Sequence, residues 1–88
     1  MSKLRLSPMA SVTFPDHLMQ HTDGTRELTV ECNSFRSLVR ALDSKWPGIE
    51  EVLNKTAVAI DGQIYQDAWL EKIGPNSEVF FMHRIEGG

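Results

Sequence analysis

Ser77-Glu78-Val79-Phe80-Phe81-Met82-His83-Arg84-Ile85-Glu86-Gly87-Gly88 is the stretch on which the fold turns. Glu78 to Arg84 reads as a β-strand, and two glycines follow it directly. Within the strand Val79, Phe81 and His83 alternate with Phe80, Met82 and Arg84, so the two sets point to opposite faces. Val79 and Phe81 are expected inward, leaving Phe80 and Met82 on the open face of a sheet. Glycines after a strand suit a tail that lies extended in a narrow channel, because neither residue brings a β-carbon. Glycine makes up about 7% of average sequences, so a chance Gly-Gly pair at the end arises about 0.5% of the time. A cloning remnant or a truncation inside a longer protein is the plain alternative.

Working outward, strand periodicity returns at Met9 to Phe14, where Ala10, Val12 and Phe14 share one face. Pro15 ends that run, and Asp23-Gly24 supplies a turn before the next. In Arg26 to Cys32, Leu28, Val30 and Cys32 alternate with Glu27, Thr29 and Glu31, one face buried and one wet. These two strands predict an antiparallel hairpin with a long loop. The period then changes. Phe35, Leu38, Val39, Leu42 and Trp46 fall at i, i+3, i+4, i+7 and i+11, the stripe of an amphipathic helix. Asn33 or Ser34 can cap its start, and Pro47-Gly48 stops it. Ile49 to Leu53 predicts a short second helical turn. Ala57 to Ile60 is a strand, Asp61-Gly62 a tight turn, and Gln63 to Tyr65 a brief return strand. Asp67 to Ser77 reads as loop with one helical turn, and Val79 to His83 is the last strand.

The order β-β-α-β-β-β predicts an α+β domain, a helix packed on one face of a mixed five-stranded sheet. The 88 residues make one unit, divided into a leader at 1–8, a domain at 9–84 and an extended tail at 85–88. A single cysteine excludes an intrachain disulfide and fits a reducing, cytoplasmic setting. Net charge −3 argues against nucleic acid as a partner. The apolar runs are too short to span a membrane, and residues 1–8 do not resemble a signal peptide.

Taken in order, the helix with Pro47-Gly48, the strand and Asp-Gly turn at Ala57–Gly62, and the closing run resemble the ubiquitin-like β-grasp superfamily. Within it they resemble the sulfur carriers typified by the molybdopterin synthase small subunit and the thiamine-pathway carrier. The resemblance covers Met9 to Gly88. Two positions depart from it: Asn76-Ser77 stands for the usual Gly-Asp before Glu78, and His83-Arg84 stands where the molybdopterin branch has two prolines.

The resemblance implies a central last strand beside the first, and a protein co-substrate rather than an enzyme. Gly88, reached through Gly87, would be adenylated by a ubiquitin-activating-type adenylyltransferase using ATP. A sulfur donor protein would then convert it to a thiocarboxylate for an acceptor enzyme or a larger synthase subunit. No bound cofactor or metal is implied. Phe80, Met82, Arg84, Ile85 and Glu86 are the expected partner-binding residues. Two other readings are open: a ubiquitin-like modifier conjugated through Gly88, and a β-grasp interaction module without tail chemistry.

Other candidates carry less. His17 and His21 have i, i+4 spacing but sit in a turn-rich stretch with no third ligand. Cys32 falls on the apolar face of a strand with no activating base nearby in sequence, as a buried inert thiol does. Asp16, Asp43, Asp61 and Asp67 show no catalytic spacing; the turn explains Asp61 and the helix surface Asp43.

Overall fold

The computed structural model describes residues 9–84; the expected leader at 1–8 and tail at 85–88 lie outside the described residues. Five strands and two helices follow in chain order: β1 (Met9–Thr13), β2 (Glu27–Glu31), α1 (Phe35–Lys45), α2 (Ile49–Leu53), β3 (Thr56–Ile60), β4 (Gln63–Tyr65) and β5 (Glu78–His83). A 3-10 helix, Asp16–His21, lies between β1 and β2. Element bounds agree with the sequence reading to within a residue or so. The five strands form one sheet in the order β2-β1-β5-β3-β4. β1 and β2 are antiparallel, with Val12 opposite Leu28. β5 lies between β1, to which it is parallel through Val12 and Val79, and β3, to which it is antiparallel through Val58 and Phe81.

α1 forms where the helical stripe placed it, and Ser34 starts it. The Ser37 N–H donates to Ser34 Oγ (3.1 Å) and the Ser34 N–H donates to Ser37 Oγ (3.2 Å). This reciprocal box satisfies two backbone donors at the part-buried helix start. Phe35, Leu38, Val39, Leu42 and Trp46 are all buried, as the stripe requires. They meet Ala10, Val12 and Phe14 of the first strand region and Val79 and Phe81 of β5 in a single core. Phe14 is its pivot. Its ring stacks on Phe81 (5.7 Å between centroids, 4° between planes) and meets Trp46 edge-on (5.9 Å, 85°). Each such pair adds about 0.5–1.5 kcal/mol beyond the area it buries.

Three expectations change. Asp16–His21 is a 3-10 helix rather than an irregular loop, entered from Pro15, whose φ of −74° is set by its ring. The stretch from Asp67 to Ser77 contains no helix. A turn closed by the Glu71 N–H on the Ala68 carbonyl (2.9 Å) and an isolated bridge between Ser34 and Lys72 organise it instead. Asp43 is more than helix surface: its Oδ1 accepts from the Gly48 N–H (3.0 Å) and the Glu50 N–H (3.1 Å). It therefore joins α1 to the first turn of α2, across Gly48 at φ 96°.

Asp61 is likewise more than a turn residue. Its carboxylate accepts from Ser77 Oγ (2.8 Å) and from the Glu78 N–H (2.9 Å), while its own N–H donates to the Glu78 carbonyl (2.9 Å). Ser77 Oγ in turn accepts from the Gly74 N–H (3.0 Å). The β3–β4 turn is thus clasped to the start of β5. Asn76 enters this clasp at φ 64°, a left-handed conformation that glycine and asparagine tolerate best. This explains how asparagine stands where the resembling family has glycine.

Asp61→Ala should lower stability by about 1 kcal/mol, because it removes the acceptor of the part-buried Ser77 hydroxyl and of the exposed Glu78 N–H. Urea denaturation checks it, and Asn76→Gly should be close to neutral in the same assay.

Candidate functional site

β5 is built from an inward and an outward row. Val79 and Phe81 are buried at 0% and 3% exposure, whereas Phe80 is 43% exposed. Met82 is half-buried. The cause of the difference is the register. Phe80 lies between Thr13 of β1 and Ala59 of β3, and Met82 lies beside Ala57. Ala59 is paired in turn with Ile64 of β4, which is exposed. Small residues on β3 therefore form a floor between Phe80, Met82 and Ile64. Ile64 was not singled out by sequence reasoning, because only strand pairing brings it across the sheet to Phe80.

The other half of this face is acidic. Glu27 is opposite Thr13, and Glu78 is beside Ser11. A groove of about 550 Å³ runs over Ser11 and Thr13 between Glu27, Thr29, Glu78 and Phe80. The open sheet face thus offers apolar contact on one side and negative charge on the other.

At the far end of β5 the backbone leads to Arg84. Its guanidinium donates to the Gln66 carbonyl (3.0 Å), which ties the root of the tail to the segment after β4. Ile85, Glu86, Gly87 and Gly88 lie outside the described residues. Arg84 also borders a cleft of about 340 Å³ with Phe35, Thr56 and Trp69.

His17 and His21 meet no third ligand: among the described residues no group of three or more His, Cys, Asp or Glu side chains is placed to hold a metal ion. In a 3-10 helix, with three residues per turn, i and i+4 do not share a face as they do in an α-helix. His17 instead stacks on His83, with centroids 3.7 Å apart and planes 14° apart. Its Nδ1 is buried without a hydrogen-bond partner. Burial, then His83, then His21 hold its pKa below the usual histidine value. Cys32 is buried, and burial pushes its thiol pKa up; the thiolate needed for nucleophilic chemistry is disfavoured.

No protein-family model matches the sequence, and no curated protein matches it. Solved structures do match the fold. One is from the BexX/CysO complex of Amycolatopsis orientalis, with TM-score 0.77 and 15% identity over 90% of this chain and 99% of that one. Another is the small archaeal modifier protein 1 (SAMP1) of Methanosarcina acetivorans, with TM-score 0.75 and 15% identity over 93% of this chain and 98% of that one. A third is the HVO 2177 protein of Haloferax volcanii, with TM-score 0.72 and 13% identity over 100% of this chain and 93% of that one. The domain has the ubiquitin-like β-grasp fold. The likeness extends across nearly the whole length of each neighbour.

Two outcomes follow. Phe80→Ala should change stability by less than about 1 kcal/mol, whereas Phe81→Ala should cost about 3–5 kcal/mol, in the range for a buried aromatic; thermal or urea unfolding separates them. The second concerns acid. His17 has a folded-state pKa below its unfolded value of 6.5, so on acidification the unfolded chain takes up the proton first. Its stabilising contribution is complete above pH 6.5 and is lost as pH falls through the folded value. The urea midpoint should therefore fall more between pH 7.5 and 5.5 in the wild type than in His17→Gln.

Proposed function

We propose that this protein is a ubiquitin-like sulfur carrier that works through the carboxylate of Gly88. The observation that supports the reading best is the position of β5. It lies between β1, which pairs with its first half, and β3, which pairs with it as far as His83, and in the sequence it is followed by Arg84-Ile85-Glu86-Gly87-Gly88. A tail rooted in a central strand is presented from a rigid body, so a partner can grip the body and thread the glycines. The fold shared with CysO and SAMP1 supports the same reading.

The chemistry requires activation, because a free carboxylate would have to expel oxide or hydroxide. An oxygen of Gly88 attacks the α-phosphate of ATP in a ubiquitin-activating-type enzyme, forming an acyl-adenylate and releasing pyrophosphate. Sulfide then displaces AMP and leaves a thiocarboxylate. With a persulfide donor the first product is an acyl disulfide, which a second thiol reduces to the same species. The thiocarboxylate sulfur is the nucleophile delivered to an acceptor enzyme or a larger synthase subunit. The carrier itself supplies neither acid nor base, and ATP belongs to the activating enzyme. Phe80, Met82 and Ile64 form the apolar part of the docking face, and Arg84, Ile85 and Glu86 guide the tail into the channel.

The fold of SAMP1, named a modifier protein, favours a second reading in which the same adenylate is attacked by a lysine amine and Gly88 ends in an isopeptide bond. The fate of Gly88 separates the two.

Intact-mass analysis of the protein ending at Gly88, after incubation with an activating enzyme, ATP and a sulfur donor, tests the proposal. The expected outcome is a gain equal to sulfur replacing oxygen, localised to Gly88. Conjugates of higher mass would support the modifier reading, and an unchanged mass with a competent activating enzyme would overturn both. Gly88→Ala should leave unfolding unaltered and reduce adenylate formation by at least about tenfold, a loss of about 1.4 kcal/mol or more in transition-state binding.

A further inference from the structure

The histidines lie together at the root of the tail. His17 and His21 on the 3-10 helix and His83 at the end of β5 border one cleft of about 480 Å³, with Glu51, Lys55 and Thr56. His17 and His83 come from opposite ends of the chain, and their rings lie face to face at 3.7 Å. Two neutral imidazoles, or one neutral and one charged, can stack at that separation. Two imidazolium cations repel there; His17 is half-buried and His83 exposed, so solvent screens the repulsion only from the His83 side. His83 is also the last residue of β5, paired with Thr56 of β3, and Arg84 follows it.

We propose that His17 is a positioning residue which, through its stack on His83, forms a proton-sensitive clamp on the root of the carboxy-terminal tail. The clamp is closed while at least one ring is neutral and opens when both are protonated. Opening frees His83 from the 3-10 helix while the inward row of β5 stays packed in the core. The buried Nδ1 of His17 lacks a hydrogen-bond partner, so protonating that nitrogen in place gains no acceptor and favours movement of the ring out of the stack.

The charged groups around the pair do not neutralise it. On the 3-10 helix His21 adds positive charge on protonation, and Asp16 is held by Arg26. From α2 and the turn after it come Glu51 and Lys55, of opposite sign, both on the cleft. β3 presents the uncharged Thr56, and β5 continues into the cationic Arg84. No net negative charge on the cleft offsets the repulsion within a doubly charged pair.

The clamp is a property of the protein alone; its use in presenting Gly88 rests on the function proposed above. The experiment follows the ring protons of all three histidines by NMR from pH 8 to the acid end of the folded range, in the wild type, His83→Ala and His17→Phe. The wild type should show a direct His17–His83 ring contact at pH 8 that falls at least about fivefold once both rings are protonated. The Arg84 amide should shift with the same midpoint. The His17 midpoint should rise in His83→Ala. In His17→Phe the ring can still stack but cannot charge, so the contact and the Arg84 signal should lose their pH dependence.

Absence of the contact at pH 8, its persistence with both rings charged, or the same acid loss in His17→Phe would overturn the clamp. ATP–pyrophosphate exchange with the activating enzyme, measured over the same pH range, separates the two proposals. Absence of exchange at any pH counts against the tail chemistry while leaving the NMR result intact. Exchange with the same pH profile in the wild type and His17→Phe would overturn the role of the clamp in tail presentation.

Discussion

The pairing of β5 between β1 and β3 is the constraint on which the rest of the structure depends. β1 belongs to the start of the domain and β5 to its end, so their parallel contact closes the sheet around nearly all the intervening chain. A parallel contact cannot be made by a hairpin and needs a crossover; here β2, both helices and the β3–β4 pair supply it. Once β5 is central, Val79 and Phe81 must face the helix, Phe14 can stack on Phe81, and Phe80 must stand on the open face. The same pairing holds β5 on both sides over its first half and on the β3 side as far as His83.

Polar contacts then fix what packing leaves loose. The Ser34–Ser37 box starts α1, Asp43 carries the chain from α1 into α2, and Asp61 clasps the β3–β4 turn to Ser77 and Glu78. These contacts join elements that the hydrophobic core alone would hold only approximately. The Asp61 clasp has a second consequence. It fixes the first residues of β5, so the register that exposes Phe80 is set at both the Asp61 end and the Thr56–His83 end of the strand.

Proposed function and geometry meet at a division of labour within one strand. The inward row of β5 stabilises, the outward row contributes to a face with apolar and acidic halves, and the last residue touches the 3-10 helix through His17. A carrier or modifier needs no catalytic cluster of its own. The three histidines of this chain border one cleft, and two of them are joined by their ring stack.

Much of this was legible in the sequence because it is local. The 3.6-residue stripe from Phe35 to Trp46, the period-two rows of Met9–Phe14 and Glu78–Arg84, and the Asp61-Gly62 turn each follow from side chains a few residues apart. Local geometry also allowed Val79 and Phe81 to be separated from Phe80 and Met82. The tertiary structure decided what periodicity does not encode: that Ile64 stands across Ala59 from Phe80, that Asp61 reaches Ser77, that Asp43 spans to Gly48, and that His17 meets His83. Apart from Asp43 and Gly48, five residues apart, those partners are distant in the sequence, and their contact depends on strand order and register, which are set by how all the apolar rows pack together at once.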